Sequence, residues 1–106
     1  MGVDRTDYLF WGVMIDPGKV DRDALEDEID GAPGAKFDLV LDGMGGQYAV
    51  AGKIVAQSDP YEGIEFVDVG PRLDLLDKAG VFGAVGKHFP DKSFSDFGLL
   101  LFSHFH

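Results

Sequence analysis

An uninterrupted apolar run near the start of the chain limits the folds that this sequence can adopt. Residues 8–15 (YLFWGVMI) contain no charged side chain, and Asp16, Pro17 and Gly18 end the run. A run of this length without alternation is typical of a β-strand that is buried on both faces. We therefore predict a strand in the interior of a sheet, with a neighbouring strand on each side.

Other periodic patterns predict the remaining elements. Apolar residues recur at helical spacing over 20–29 and again after Pro71, a residue that suits the first position of a helix. Residues 37–41 alternate as in a strand with one exposed face, and residues 48–56 return after a glycine-rich turn, as in a β-hairpin. An apolar stretch over 99–105 predicts a last strand. The predicted order is β-α-β-β-α-β.

This order is the split β-α-β arrangement of ferredoxin-like domains, an α+β fold with two layers. Its first and third strands are central, and those are the two runs here with the least alternation. We expect one domain over residues 1–106. The connection over 58–70 is too long for a simple link, so a long loop or an extra short strand is expected there. Gly80, Gly83 and Gly86 leave open whether the second helix is continuous.

The excess negative charge is confined to two parts of the chain. The net charge is −10, and residues 16–30 have seven acids against two bases. Residues 59–77 have six acids against one base, so these two acid blocks account for the whole excess. Nucleic-acid binding needs clustered bases, so we expect no direct contact with nucleic acid. The charge favours a basic protein partner, with general solubility as the alternative.

Each acid block contains a candidate contact surface. Four acids of the first block recur at positions i, i+3, i+4 and i+7, so a helix would carry them as one anionic stripe. Three carboxylates and a tyrosine of the second block lie on the long connection, where an aromatic side chain suits an interface. The predicted partner-binding residues are Asp23, Glu26, Asp27, Asp30, Asp59, Tyr61, Glu62 and Glu65.

Two metal sites are weaker alternatives. His104 and His106 would share one face of the last strand and begin a zinc site, which needs at least one further ligand. The carboxylates of the second acid block have the oxygen ligands that Ca²⁺ or Mg²⁺ prefers, although the order of an EF-hand loop is missing. We predict no cofactor.

Motifs for catalysis, export or membrane insertion are missing from the sequence. The glycines before Lys87 have neither the spacing nor the following Ser or Thr of a phosphate-binding loop. The chain has no cysteine and no apolar run long enough to span a bilayer. We expect a non-enzymatic, cytoplasmic protein.

The leading hypothesis is a small acidic protein-binding module that inhibits or regulates a basic, nucleic-acid-binding partner, acting as a nucleic-acid mimic. In composition alone it resembles viral antagonists encoded by phages. One alternative is an enzyme that binds a metal or small ligand through the loop carboxylates or the histidine pair. Another is a self-associating subunit, a homodimer through a sheet face bearing Tyr8, Phe10, Met14 and Phe105.

Overall fold

The protein is an α+β structure with a four-stranded antiparallel sheet, consistent with a small two-layer sandwich. The structure, a computed structural model, describes residues 5–21, 36–42, 46–58 and 68–105. Within these residues the strands and helices are β1 (Arg5–Ile15), β2 (Asp38–Leu41), β3 (Ala49–Gln57), α1 (Gly70–Asp74), α2 (Lys78–His88) and β4 (Gly98–Phe105). Short 3-10 turns occupy Pro17–Lys19 and Phe94–Asp96.

The strand order in the sheet is β2-β3-β1-β4, and each neighbouring pair is antiparallel. The first and third strands are central, which confirms the prediction from the apolar run of β1. The hairpin of β2 and β3 is also confirmed, with Leu41 paired to Ala49 at its closed end. At the other end, Lys53 and the Ile54 amide hold the carboxylate of Asp38, at 3.9 and 2.9 Å.

The order of the described elements is β-β-β-α-α-β, which does not match the predicted β-α-β-β-α-β. Most of the first predicted helix falls in residues 22–35, outside the described part of the chain. The second predicted helix is split in two, because Asp77 accepts a hydrogen bond from the Gly80 amide at 3.0 Å and starts α2 anew. From there α2 is continuous through Gly80, Gly83 and Gly86. Asp68 and Val69, the described end of the predicted extra strand, lie outside any strand.

One face of the sheet, here called the helix-side face, packs against α1 and α2. Its core contains Trp11, Phe37 and Val85, the last from α2. The Trp11 ring lies 5.0 Å from the ring of Phe97, measured between centroids, and the Lys78 amine lies 5.8 Å from the Trp11 ring. This face buries a continuous apolar layer from strands, helices and the segment that follows α2.

The opposite face, here called the aromatic face, has its own apolar cluster. Phe10 is completely buried there with Val40 and Val50. The ring of Tyr8 lies 5.7 Å from the ring of Phe10, and partly buried neighbours complete the cluster. Those neighbours are Tyr8, Tyr48, Ile54, Leu100 and Phe102.

A row of three glycines crosses the sheet on its aromatic face. Gly12 pairs with Gly52 on one side and with Gly98 on the other. A Cβ on Gly52 would overlap the carbonyl oxygen of Trp11, and one on Gly12 would overlap that of Ala51. The backbones of β1 and β3 therefore approach more closely here than side chains would allow.

The sheet curves strongly over the stretch of β1 that contains this glycine row. Ala49, next to Tyr48, pairs with Ile15, whereas His104 pairs with Thr6. Nine residues of straight strand would separate these two levels by roughly 30 Å. The Tyr48 hydroxyl nevertheless lies 2.7 Å from Nδ1 of His104. The two ends of the aromatic face are thus brought toward each other, and their side chains cover its centre at Phe10.

Among the described residues, no helix has the length and apolar character that crossing a membrane requires.

Candidate functional site

All eight predicted partner-binding residues lie outside the described part of the chain, in segments 22–35 and 59–67. The described residues contain ten of the nineteen acids and eight of the nine bases, so they are close to neutral. The two segments contain eight acids and one base. The structure therefore gives the points at which these charged segments attach to a nearly neutral body.

Two of these attachment points lie at the same end of the sheet. The first segment is followed by Lys36, which lines a cleft together with Ile54 of β3. The second segment begins after Ser58, directly beyond the end of β3. Four residues of β3 separate the levels of Ile54 and Ser58, which corresponds to about 13 Å along a strand.

A polar cluster around Asp7 includes Ser58, the residue that precedes the second segment. Buried Ser58 accepts a hydrogen bond from the Asp7 amide at 2.8 Å, and its own amide donates to the Asp7 carbonyl at 2.9 Å. The Asp7 carboxylate accepts from the Arg5 guanidinium at 2.9 Å and from the Ser103 hydroxyl at 2.6 Å. These hydrogen bonds, from Arg5 first and then Ser103, lower the pKa of Asp7. The cluster joins β1 and β4 to the point where the chain leaves β3.

A cleft of about 670 Å³ lies between β3 and the two helices, near the same end of the sheet. Lys36, Lys53 and Arg72 line it, so three of the nine bases of an acidic chain are gathered there. Arg72 donates to the carbonyl oxygen of Val55 at 2.9 Å, and Lys53 faces Asp38. Two of the three cations thus have partners, and Lys36 and Arg72 flank the attachment points of the acidic segments.

The predicted zinc pair is described only in part. His104 lies on the aromatic face, where Nδ1 meets the Tyr48 hydroxyl and the ring lies 6.2 Å from that of Tyr8. Burial, followed by the charge of Asp42, raises the pKa of Tyr48, so its hydroxyl stays protonated near neutral pH. Within the described ranges, no group of three or more metal-ligating side chains comes together. His106 and the loop carboxylates lie outside those ranges, so both metal sites stay predictions.

The sheet face proposed for self-association differs from the prediction. Tyr8 and Phe10 share the aromatic face, but Phe105 pairs with Arg5 and lies on the helix-side face. Phe10 is completely buried within the single chain, whereas Met14 is more than half exposed. A dimer through this face would have only part of the predicted surface available.

Among the described residues, three of the six exposed large apolar side chains lie along the edge strand β4. Leu99, Leu101 and Phe105 alternate along the helix-side face of this strand, and Leu101 is 79% exposed. On the aromatic face beside β4 lies a groove of about 400 Å³, lined by Met14, Tyr48, Val50 and residues 99–103. The predicted arrangement, with the first and third strands central, already made the last strand an edge, and the strand order agrees. Sequence reasoning missed how exposed the leucines of this edge are.

Comparisons of this chain with protein-family models, with curated proteins and with solved structures found no match.

Proposed function

We propose that this protein is a non-enzymatic binding module that presents its two acidic segments to a basic protein partner. The separation of charge carries the proposal: the nearly neutral body contrasts with segments 22–35 and 59–67, which hold eight acids and one base. General selection for solubility would spread acids over all exposed surfaces. Concentration on two segments is what a localised electrostatic contact requires.

The attachment points support a joint surface formed by the two segments. The first segment ends at Lys36 and the second begins after Ser58. These two attachment points lie at the same end of the sheet, about four residues apart as counted along β3. The hydrogen bonds between Ser58 and Asp7 fix the second departure point to the inner strand β1. A basic surface that meets one segment at this end is therefore within reach of the other.

The chemistry of the partner follows from the spacing of the acids. Carboxylates at i, i+3, i+4 and i+7 of a helix lie about 5–6 Å apart, a spacing comparable with that of phosphates along a nucleic-acid strand. We propose a protein whose basic surface binds nucleic acid and which this module inhibits or regulates by occupying that surface.

The experiment compares two variants with the same change in net charge. One carries Asp27→Asn with Asp30→Asn in the first segment. The control carries Asp91→Asn with Gln47→Lys, two exposed positions of the body. Each variant captures proteins from a lysate of the source cell at low and at high salt, and mass spectrometry identifies and quantifies what is retained.

We expect a basic protein that the wild type and the control retain at low salt and that both lose at high salt, because screening weakens exposed charge contacts. The variant of the first segment should retain at least about tenfold less of it, since charge complementarity is lost at the contact itself. Equal retention by the two variants would show that only net charge matters, and salt-independent retention would contradict the electrostatic contact.

The finer fold assignment belongs to the same proposal. We propose a ferredoxin-like arrangement in which residues 22–35 supply the helix that connects β1 to β2. The sheet order, with β1 and β3 central, supports it. Backbone chemical shifts of residues 22–35 test it: helical values are expected, and extended or random-coil values would contradict both the helix and the anionic stripe.

A further inference from the structure

The outer edge of β4 lacks the features that keep an edge strand from pairing with another chain. Its eight residues, Gly98–Phe105, include no Asp, Glu, Lys, Arg or Pro. Natural edge strands are usually short or carry charges, prolines or bulges, since an exposed edge is a template for a further strand. Among the described residues, β4 has a neighbouring strand on one side only, β1.

The other described edge of the same sheet shows the contrast. β2 has four residues, and one of them is Asp38, which is held by Lys53 and the Ile54 amide. A short strand with a charged residue at its start is a poor template. Pairing is therefore favoured at one edge of this sheet and disfavoured at the other.

We propose that two copies of this chain form a two-fold dimer in which the outer edges of their β4 strands pair antiparallel. A two-fold axis perpendicular to the sheet keeps the helix-side faces of both copies on one side. The exposed Leu99, Leu101 and Phe105 of one copy then lie beside those of the other and form a continuous apolar strip. The groove beside β4 on the aromatic face is open to the partner's side chains of that face.

Charge and area favour a second copy as the occupant. Each chain has a net charge of −10, yet β4 itself is free of charge, so pairing places no like charges opposite each other. An aromatic side chain buries about 150–250 Å², so the half-exposed Phe105 offers on the order of 100 Å². With Leu99 and Leu101 each adding a similar amount, the apolar strip supplies about a third of the roughly 800 Å² per partner of a standard interface.

An interface of this size should give a weak dimer that does not assemble further. The dissociation constant is expected on the order of 10 μM, since small interfaces belong to weak or transient complexes. Assembly should stop at the dimer, because each β4 edge is used once and β2 is a poor template. Salt should leave the dimer intact or strengthen it, because it screens the repulsion between two acidic chains. Binding to a basic partner depends on salt in the opposite sense, so the two proposals can fail separately.

Sedimentation velocity of the purified chain from 1 μM to 500 μM tests the dimer, with Leu101→Lys as the disrupting variant. Leu75→Lys is the matched control, since Leu75 is 87% exposed and lies in the turn after α1, away from β4. The wild type and Leu75→Lys should shift from 11.5 kDa to twice that mass, and Leu101→Lys should need at least tenfold higher concentration. Thermal melts should show that both variants fold, because both leucines are exposed.

A wild type that stays monomeric throughout would overturn the proposal, as would equal weakening in the two variants. Amide exchange supplies the second measurement. The outward amides of β4 should become protected only as the dimer forms. Protection that is independent of protein concentration would mean that another segment of the same chain pairs with this edge, which also overturns the proposal.

Discussion

The two faces of the sheet bury their central residues by different means. On the helix-side face, α2 contributes Val81 and Val85 to a core that includes Trp11. On the aromatic face, rings from the strands and from Tyr48 cover Phe10 where the sheet curves strongly. Among the described residues no helix packs on the aromatic face, yet its central residues are buried. Its exposed parts are Met14 and the groove beside β4.

The largest loss of stability should come from truncating a buried phenylalanine on either face of the sheet. Phe10 and Phe37 are fully buried, one on each face. Replacing a buried Phe by Ala usually costs about 3–5 kcal/mol, from lost burial and from the cavity left behind. Urea denaturation should show losses of this size for both Phe10→Ala and Phe37→Ala. If Phe10→Ala cost less than about 1 kcal/mol while Phe37→Ala cost the full amount, the aromatic face would be open.

A smaller loss of stability should follow from adding a methyl group at the glycine row of the sheet. A Cβ on Gly52 would overlap the Trp11 carbonyl oxygen, and relieving such overlap typically costs about 1–3 kcal/mol. Gly98 is the matched control, since it belongs to the same row but has no described atom within 4 Å of its added Cβ. Gly52→Ala should lower the urea midpoint and Gly98→Ala should change it little. Equal effects would mean that the close approach of β1 and β3 does not shape the sheet.

The smallest change in stability should come from the carboxylate of Asp7, on the helix-side face. The Arg5 and Ser103 hydrogen bonds lower the pKa of Asp7, so its ionised form stabilises the folded state. This contribution is complete above the ordinary carboxyl pKa of about 4 and is lost as the pH falls through the lower folded value. The stability difference between the wild type and Asp7→Asn should therefore narrow as the pH falls from about 5 to about 2. A constant difference over this range would contradict the assigned role of Asp7.

The sequence predicted the elements whose signal is local. Residues 8–15 are apolar at every position, and β1 buries or half-buries all of them except Met14, a pattern that needs no knowledge of the partner strands. The hairpin and the last strand were visible for the same reason. A break near Gly80 was left open by the sequence, and the structure places it at residues 75–77, where Asp77 caps a new helix. Whether α2 ran through its glycines was left open, because helix propensity alone does not decide it.

The contacts that define the surfaces depend on residues far apart in sequence. The glycine row appears only once the register of three strands is known. Asp7 meets residues 51 and 96 positions away, and no periodic pattern links them. The charge separation was visible from the sequence, since it is a property of composition along the chain. The structure adds to it the attachment points at Lys36 and Ser58.

On the aromatic face, the cluster around Phe10 is packed within a single chain, with Tyr48 and Phe102 against it. Nuclear Overhauser effects at a concentration where the chain is monomeric test this most directly. We expect cross-peaks between the Tyr48 ring and the rings of Phe102 and His104. The centroids of these two rings lie 6.2 and 6.0 Å from that of Tyr48. Missing cross-peaks in the monomer, or cross-peaks that appear only on dimerisation, would contradict it and restore this face as a contact surface.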